Sequence, residues 1–463
     1  MFERYRVIHF VGIGGIGMSG IAEVLRNLGY EVTGSDLKET DTTKRLRGMG
    51  IAVHIGHREE NVDDAHVVVI SSAVSVANPE VIAAKRKAIP VIPRAEMLAE
   101  LGRLKYGILV AGAHGKTTTT SLVSTVLGAG GFDPTIVIGG KLKGLGSNAR
   151  LGAGSFLVAE ADESDGSFLK LSPTIAVVTN IDQEHMDYFR DLQTLKNAFL
   201  SFINKVPFYG AAFLCAENEH LGDLLPSVHR RAVTYGFTER ADLCALELEE
   251  GFMATSFDVL RHGEKLGRFT VPVPGRHNVL NALAAIGVGI ELTMTPEAVR
   301  DALASFSGIQ RRFEFKGEAN GARVYDDYGH HPTEIRATLA AARQNVRYLG
   351  KDARVIVVFQ PHRYTRTANL MDEFARSFRD ADMLVLLDVY SAGEQPIEGV
   401  SAEKLAVMIS RNGHPDVSYQ ADRGRALDHV AGRIRRNDLV LTLGAGDVWK
   451  FGEQLIERSH AAR

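Results

Sequence analysis

The sequence predicts an α/β protein of three domains, on three observations. Its 463 residues are about three times the ~150 residues typical of one domain. Short β-branched runs alternate with segments of helical period over most of the chain, the pattern of βαβ units whose parallel strands are buried on both faces. The runs fall at residues 6–11, 31–34, 67–71, 107–111, 156–159, 175–179, 354–359, 383–387 and 439–443, and most stop where Gly, Ser, Asp, Glu, Asn or His begins. In open parallel sheets ligands sit beyond the carboxyl ends of the strands, so those endings are where chemistry is sought. Breaks at 101–106 and 307–312 divide the chain into 1–105, 106–310 and 311–463. Across 242–274 the pattern turns to short alternating stretches, expected to extend the central sheet in antiparallel fashion.

Composition narrows the class. Hydrophobic residues are 45% and charged residues 24%, ordinary globular usage. Lys plus Arg (53) nearly balances Asp plus Glu (56), so no global basic field holds the chain on nucleic acid or on an anionic membrane. The local runs Lys85-Arg86-Lys87 and Arg433, Arg435, Arg436 read as solvated helix faces. Cys215 and Cys244 lack CxxC spacing, which supports neither a disulfide framework nor a zinc site and fits a reducing cytoplasm. The opening MFERYRVIHFVGIGG runs straight into a strand, and no apolar stretch of membrane-spanning length follows. The expectation is a cytoplasmic protein with neither nucleic acid nor membrane as partner.

The first motif follows strand 6–11. Gly12, Gly14 and Gly17, with Gly15 between, form a GxGxxG turn expected to open a helix from Met18, and Asp36 stands 19 residues beyond Gly17 at the end of the next strand. Such glycines admit a pyrophosphate close to the backbone, and the helix N-terminus offers free N–H groups carrying about half a positive charge. Taken alone this turn reads as a nicotinamide-dinucleotide site.

The second motif follows strand 107–111: Gly112, Ala113, His114, Gly115, Lys116, Thr117 and Thr118 lead into an apolar helix. This is a phosphate loop, in which backbone amides cradle the β-phosphate, Lys116 lies between the β- and γ-phosphates and Thr117 offers its hydroxyl to Mg²⁺. Val110 stands where the leading glycine of the longer pattern would fall. A dehydrogenase needs only the first motif and a phosphate-loop switch only the second. Together they indicate an enzyme that uses a nucleoside triphosphate on a nucleotide-linked substrate.

Two further strand endings should flank that loop. One carries Glu160, Asp162, Glu163 and Asp165, the other Asn180, Asp182, Glu184, His185 and Asp187. Carboxylates there can hold Mg²⁺ and neutralise charge on a transferring phosphoryl group. His185 is ambiguous, since Mg²⁺ prefers oxygen. The last third offers Asp326-Asp327-Tyr328-Gly329-His330-His331, leaving open which aspartate faces a site, and then His362, Arg363 and Arg366. Two arginines three apart can clamp a carboxylate through paired N–H donors as lysine cannot.

Nine segments in order, HFVGIGGIGMSG, GAHGKTTTT, EADESD, NID followed by HMD, PGRHNVLNA, QRRFEFKG, DDYGHHPTEI, FQPHRYTRT and DVYSAGE, span essentially the whole chain and resemble the Mur ligase family. That resemblance implies a Rossmann-like N-terminal domain, a central phosphate-loop ATPase domain and a C-terminal Rossmann-like domain. It changes the ligand of the first turn from NAD to the UDP of UDP-N-acetylmuramate, placing Gly12, Gly14, Gly15, Gly17, Ser35, Asp36 and Ser71 on the UDP-sugar. It places ATP at Gly112–Thr118 with Asn278 and Asn281, one Mg²⁺ near Thr117 and Glu160 and a second near Glu160 and His185. Lys116, Glu160, His185, Arg312 and Asp327 become the catalytic set, and Tyr328, His330, Arg363 and Arg366 the holders of an incoming L-alanine. The family's carbamylated lysine would fall at Phe199, with Lys196 too early, so none is expected. The implied reaction is peptidoglycan precursor synthesis: the lactyl carboxylate takes the γ-phosphate of ATP, and the amine of alanine displaces phosphate from the acyl phosphate. A monomer or weak homodimer is expected. The alternatives are a family member that joins a murein tripeptide, a nicotinamide-dependent oxidoreductase and an ATP-driven binding module.

Overall fold

The computed structural model describes residues 6–71, 73–103, 105–139, 148–184 and 186–461. The chain forms two compact units. The first comprises Met1–Glu247, Phe257–Phe269 and Leu280–Ser307, the second Leu248–Ser256, Thr270–Val279 and Gly308–Arg463.

Three sheets organise it. In the first, β1 (Val7–Val11), β2 (Glu31–Asp36), β3 (Ala52–Ile55), β4 (Val67–Ile70) and β5 (Val91–Pro93) lie in the order β3-β2-β1-β4-β5, all parallel. The order reverses at β1, whose carboxyl end is therefore a crevice between diverging crossovers. The glycine turn lies there. Its helix runs Ile16–Asn27 with Gly15 as N-cap, two residues earlier than the sequence pattern placed it.

The second sheet contains β6 (Tyr106–Ala111), β7 (Thr135–Val137), β8 (Ala149–Arg150), β9 (Phe156–Glu160), β10 (Ile175–Val178), β11 (Ala211–Cys215), β12 (Ala232–Gly236), β13 (Leu243–Gly251), β14 (Ala254–Arg261) and β15 (Glu264–Val271). Its order is β15-β14-β13-β12-β11-β10-β6-β9-β7-β8. The pairs β6·β9 and β6·β10 are parallel, so the two acidic strand endings do flank the phosphate loop. The expected extension is present as β13–β15, neighbours joined by two-residue turns and hence antiparallel.

The third sheet, in the second unit, takes β16 (Glu314–Ala319), β17 (Ala322–Asp327), β18 (Val355–Phe359), β19 (Met383–Leu386), β20 (Val417–Tyr419) and β21 (Leu439–Leu443) in the order β16-β17-β21-β18-β19-β20. Only β16·β17 is antiparallel. Alternate residues feed two cores: Tyr325, Val355, Val357, Phe359, Leu439 and Leu441 on one face, Val324, Ile356, Val358 and Val440 on the other. Burial on both faces is why these strands read as unbroken apolar runs rather than as alternating ones.

Candidate active site

In the glycine turn, the amides of Gly12 and Ile13 donate to the carbonyl of Ser35 at 2.8 and 2.9 Å, stitching the turn to β2. Gly12 has φ +78°, a conformation open to glycine and strained for other residues. The amide of Gly14 donates to Asp36 Oδ2 at 2.8 Å. Asp36 therefore steadies the turn directly, besides standing at the end of β2 where an acidic residue contacts a ribose in dinucleotide sites. Ser35 Oγ donates to Glu80 Oε2 at 2.6 Å, and Asn61 Nδ2 donates to the other oxygen of that carboxylate. Burial opposes charge on Glu80, yet hydrogen bonds from Ser35 and Asn61, with His9 Nε2 3.8 Å away, bring its carboxyl down to about 2. Ser71 follows β4, and its carbonyl accepts from the amide of Val74 at 3.1 Å.

The phosphate loop is held from the β10 side. The amide of His114 donates to Asn180 Oδ1 at 2.9 Å, Thr179 Oγ1 and Asn180 Nδ2 donate to the carbonyl of His114 at 2.5 and 3.0 Å, and His114 Nε2 lies 2.8 Å from Asp182 Oδ2. A Cβ on Gly112, φ +131°, would overlap Thr179 Oγ1, so only glycine fits there. Gly115, φ +81°, caps the helix Lys116–Ala129, and a Cβ on it would press on Asn281 Oδ1. Asn281 in turn accepts from Thr119 Oγ1 at 3.0 Å. Asn278 Nδ2 donates to the carbonyl of Pro274 at 2.7 Å.

Lys116 Nζ donates to the carbonyl of Gly112 at 2.6 Å and sits 2.9 Å from each oxygen of Glu163. Burial alone would favour its neutral form, but Glu163 and Asp162 outweigh that and hold the ammonium above the ordinary lysine range. Glu160 is in register with Val110 and accepts from the amide of Gly139 at 2.7 Å. Carboxylates thus gather at the end of β9 beside the loop. An oxygen-rich donor set of this kind, with the Thr117 hydroxyl at the start of the helix, matches the preference of Mg²⁺. His185 lies outside the described residues.

In the second unit, the carboxyl ends of β17, β21, β18 and β19 bring the remaining candidates together. Asp326 and Asp327 are both buried and have separate partners. Asp326 Oδ2 accepts from Arg311 Nε at 3.0 Å and its other oxygen from Thr442 Oγ1 at 2.7 Å. Asp327 accepts from the amides of Phe313 and Gly329, each at 2.8 Å. Burial pushes Asp327 up to about 6, with Arg312 pulling against it. The guanidinium groups of Arg311 and Arg312 lie 4.9 and 5.4 Å from the Tyr328 ring centre. The His330 and His362 rings are 5.8 Å apart, and His362 stacks on Tyr390 at 5.6 Å. Arg366 Nη1 is 3.2 Å from His362 Nδ1. Arg363 caps the helix Tyr364–Asn369 in the left-handed region, φ +70°.

The structure therefore puts Lys116 beside the β9 carboxylates and gathers Tyr328, His330, Arg363 and Arg366 at one sheet end. Sequence reasoning did not single out Glu163, Asn180, Asp182, Arg311 or His362 as site residues. Glu163, Asn180, Asp182 and His362 lie in strand endings already marked as chemical, and Arg311 in the segment before β16, so part of the signal existed, but choosing among neighbouring acids and bases needs side-chain direction.

Two glycine turns at parallel-strand ends, followed by a third, mostly parallel sheet with Arg and His at its own strand ends, define a three-domain α/β enzyme with a phosphate-loop-like turn. Comparison with known proteins specifies the group. Residues 7–106 match the Mur ligase family catalytic domain, 110–289 the Mur ligase middle domain, and 311–446 the Mur ligase glutamate ligase domain. The chain belongs to the Mur ligase family. It is 58% identical over 462 residues to the UDP-N-acetylmuramate–L-alanine ligase of Geotalea daltonii, covering 100% of both chains. The crystal structure of the UDP-N-acetylmuramate–alanine ligase of Thermotoga maritima superposes with a TM-score of 0.83 at 29% identity, over 98% of this chain and 99% of that one. A murein peptide ligase of Psychrobacter arcticus shares the fold with a TM-score of 0.71 at 24% identity, over 98% of each chain.

Proposed function

We propose that this protein joins L-alanine to the lactyl carboxylate of UDP-N-acetylmuramate, with ATP converted to ADP and phosphate, the first amino-acid addition in peptidoglycan precursor synthesis. The observation that carries the reading is the phosphate loop, with Lys116 set among the β9 carboxylates, in a chain 58% identical over its full length to a ligase of that name. Residues 1–105 hold the UDP-sugar, 106–310 ATP and 311–463 the amino acid, and the reaction is placed in the cytoplasm, where its nucleotide substrates are available. None of the described helices is long and apolar enough to cross a membrane.

An oxygen of the lactyl carboxylate attacks the γ-phosphorus; that bond forms as the bond from phosphorus to the ADP oxygen breaks, leaving an acyl phosphate. The amine nitrogen then adds to the acyl carbon, loses a proton, and the tetrahedral intermediate expels phosphate. Carboxylate and triphosphate repel at contact distance, so cationic neutralisation decides the first step. Lys116 supplies it by exchanging Glu163 for phosphate oxygens. Thr117 and Glu160 are the oxygen donors suited to Mg²⁺, which adds charge neutralisation when bound. Arg363 and Arg366 clamp the carboxylate of alanine and leave its amine aimed at the acyl carbon. Burial keeps His330 and His362 unprotonated, so they add no positive charge beside the amine, which attacks in its own neutral form.

The test is to mix protein, Mg²⁺, ATP and UDP-N-acetylmuramate with each amino acid, or with the murein tripeptide, and weigh the products. ADP with an alanyl amide is expected. AMP means adenylate chemistry and overturns the acyl phosphate; a product only with tripeptide overturns the choice of amine.

A further inference from the structure

The segment Val91–Gly102, which no motif of the sequence reading includes, runs from β5 into the helix Arg94–Gly102. Arg94, the first residue of that helix, stands between the glycine turn and the acidic ending of β9. On one side its guanidinium fills the space that a side chain at Gly17 would take: a Cβ built on Gly17 would overlap Arg94 Nη1 and come within 3.2 Å of Arg94 Cδ and Cζ. Gly17 is the second residue of the helix Ile16–Asn27, inside the first turn where backbone N–H groups point outward. On the other side Arg94 Nη2 lies 3.2 Å from Asp162 Oδ2, with both side chains partly open to solvent.

We propose that Arg94 is a further binding residue for the anionic diphosphate of the UDP-sugar, held at the glycine turn by Asp162 until that substrate arrives. The inference rests on the reading of the N-terminal domain as the UDP-sugar site. The physical reason is competition for one cation. Arginine is charged at every relevant pH and presents a planar fork that matches phosphate oxygens. A single carboxylate at a partly exposed ion pair holds it weakly, whereas a diphosphate brings more charge and more acceptors to the same place. Asp162 is then a positioning residue. It keeps the guanidinium against Gly17 while the site is empty, and also competes with the substrate for it.

This arrangement fixes the signs of two effects. Removing the cation weakens UDP-sugar binding, while removing the competing carboxylate strengthens it. A bridge serving only to join two domains would give the same sign in both variants, since either change breaks it. The experiment is calorimetric titration of the full chain with UDP-N-acetylmuramate and, separately, with UDP, without ATP, for the unaltered protein and for Arg94→Ala, Arg94→Lys and Asp162→Asn. Binding by the unaltered protein tests the reading of the site. Given that binding, Arg94→Ala is expected to raise Kd at least tenfold for both ligands, Arg94→Lys to recover part of the loss, and Asp162→Asn to lower Kd about threefold. Weaker binding in Asp162→Asn, or unchanged binding in Arg94→Ala with melting behaviour intact, overturns the proposal. Should Arg94→Ala fail to fold, Asp162→Asn and Arg94→Lys still decide it.

Discussion

Lys116 Nζ sits 2.9 Å from both carboxylate oxygens of Glu163, a side chain almost wholly withdrawn from solvent. The loop lysine thus carries an internal counter-ion in the place where phosphate is expected. Taking one member from a buried pair leaves the other uncompensated, at a cost of roughly 3 kcal/mol that the partial exposure of Lys116 reduces.

Glu163→Gln should therefore melt several degrees lower than the unaltered protein when empty. Saturating Mg²⁺ and ATP should remove at least half of that difference, because phosphate replaces the missing charge and ligand binding adds stability by mass action. Thermal unfolding with and without nucleotide checks this; an equal deficit in both conditions would contradict the exchange. Lys116→Ala should lose nearly all turnover while retaining UDP-sugar binding.

The amide of Gly14 is already bonded to Asp36, and a side chain there would meet Asp36 Oδ2 at 2.8 Å and Thr43 Cγ2 at 3.1 Å. Gly14→Val should raise KM for UDP-N-acetylmuramate about tenfold or more, in line with a displaced turn, and leave KM for ATP within about twofold. Steady-state kinetics against each substrate separates the two. An unchanged KM for the UDP-sugar would contradict the role given to the turn.

Arg366 is held by His362 through one nitrogen, which leaves the rest of its fork for a carboxylate. Arg366→Lys keeps the charge and loses the fork, so KM for alanine should rise roughly tenfold with little change for ATP. Equal losses for all three substrates would point to collapse of the helix Tyr364–Asn369 instead.

Burial lowers His330 to about 3, helped by Arg366 and opposed by Glu334, and lowers His362 to about 4. Below an unfolded value of about 6.5 the unfolded chain takes up protons that these two rings refuse. Their stabilisation is full above that pH and is lost as pH falls toward 4. Asp327, raised to about 6, acts in the other direction: its contribution is full below about 3.9 and is lost as pH rises through 6. Between pH 6 and 4 the histidines and this aspartate oppose each other, and Asp327→Asn should steepen the fall in melting temperature on acidification. The imidazole resonances of His330 and His362 should keep neutral shifts from pH 8 to 5; titration of either near 6.5 would contradict their burial.

Much of this architecture was legible beforehand. The strand at 439–443 has the bounds its apolar run indicated, and the others differ by one or two residues, some longer and some shorter, because ladder hydrogen bonding and the apolar run need not stop at the same residue. Glycine spacing located both turns, since Gly12, Gly112 and Gly115 adopt backbone angles that other residues resist. The acids were harder. Four carboxylates occur between Glu160 and Asp165, and periodicity is silent on which one meets an ammonium from the neighbouring strand ending.

The sequence alone determined the three-domain α/β class, the two glycine turns and the polar strand endings, because hydrophobic period and glycine placement act over a few neighbouring residues. The tertiary structure alone decided that Glu163 holds Lys116, that Asp326 and Asp327 take different partners, and that Arg94 lies over Gly17. Those are pairings between segments far apart in the chain, fixed by which strands lie side by side and by the direction each side chain leaves its strand.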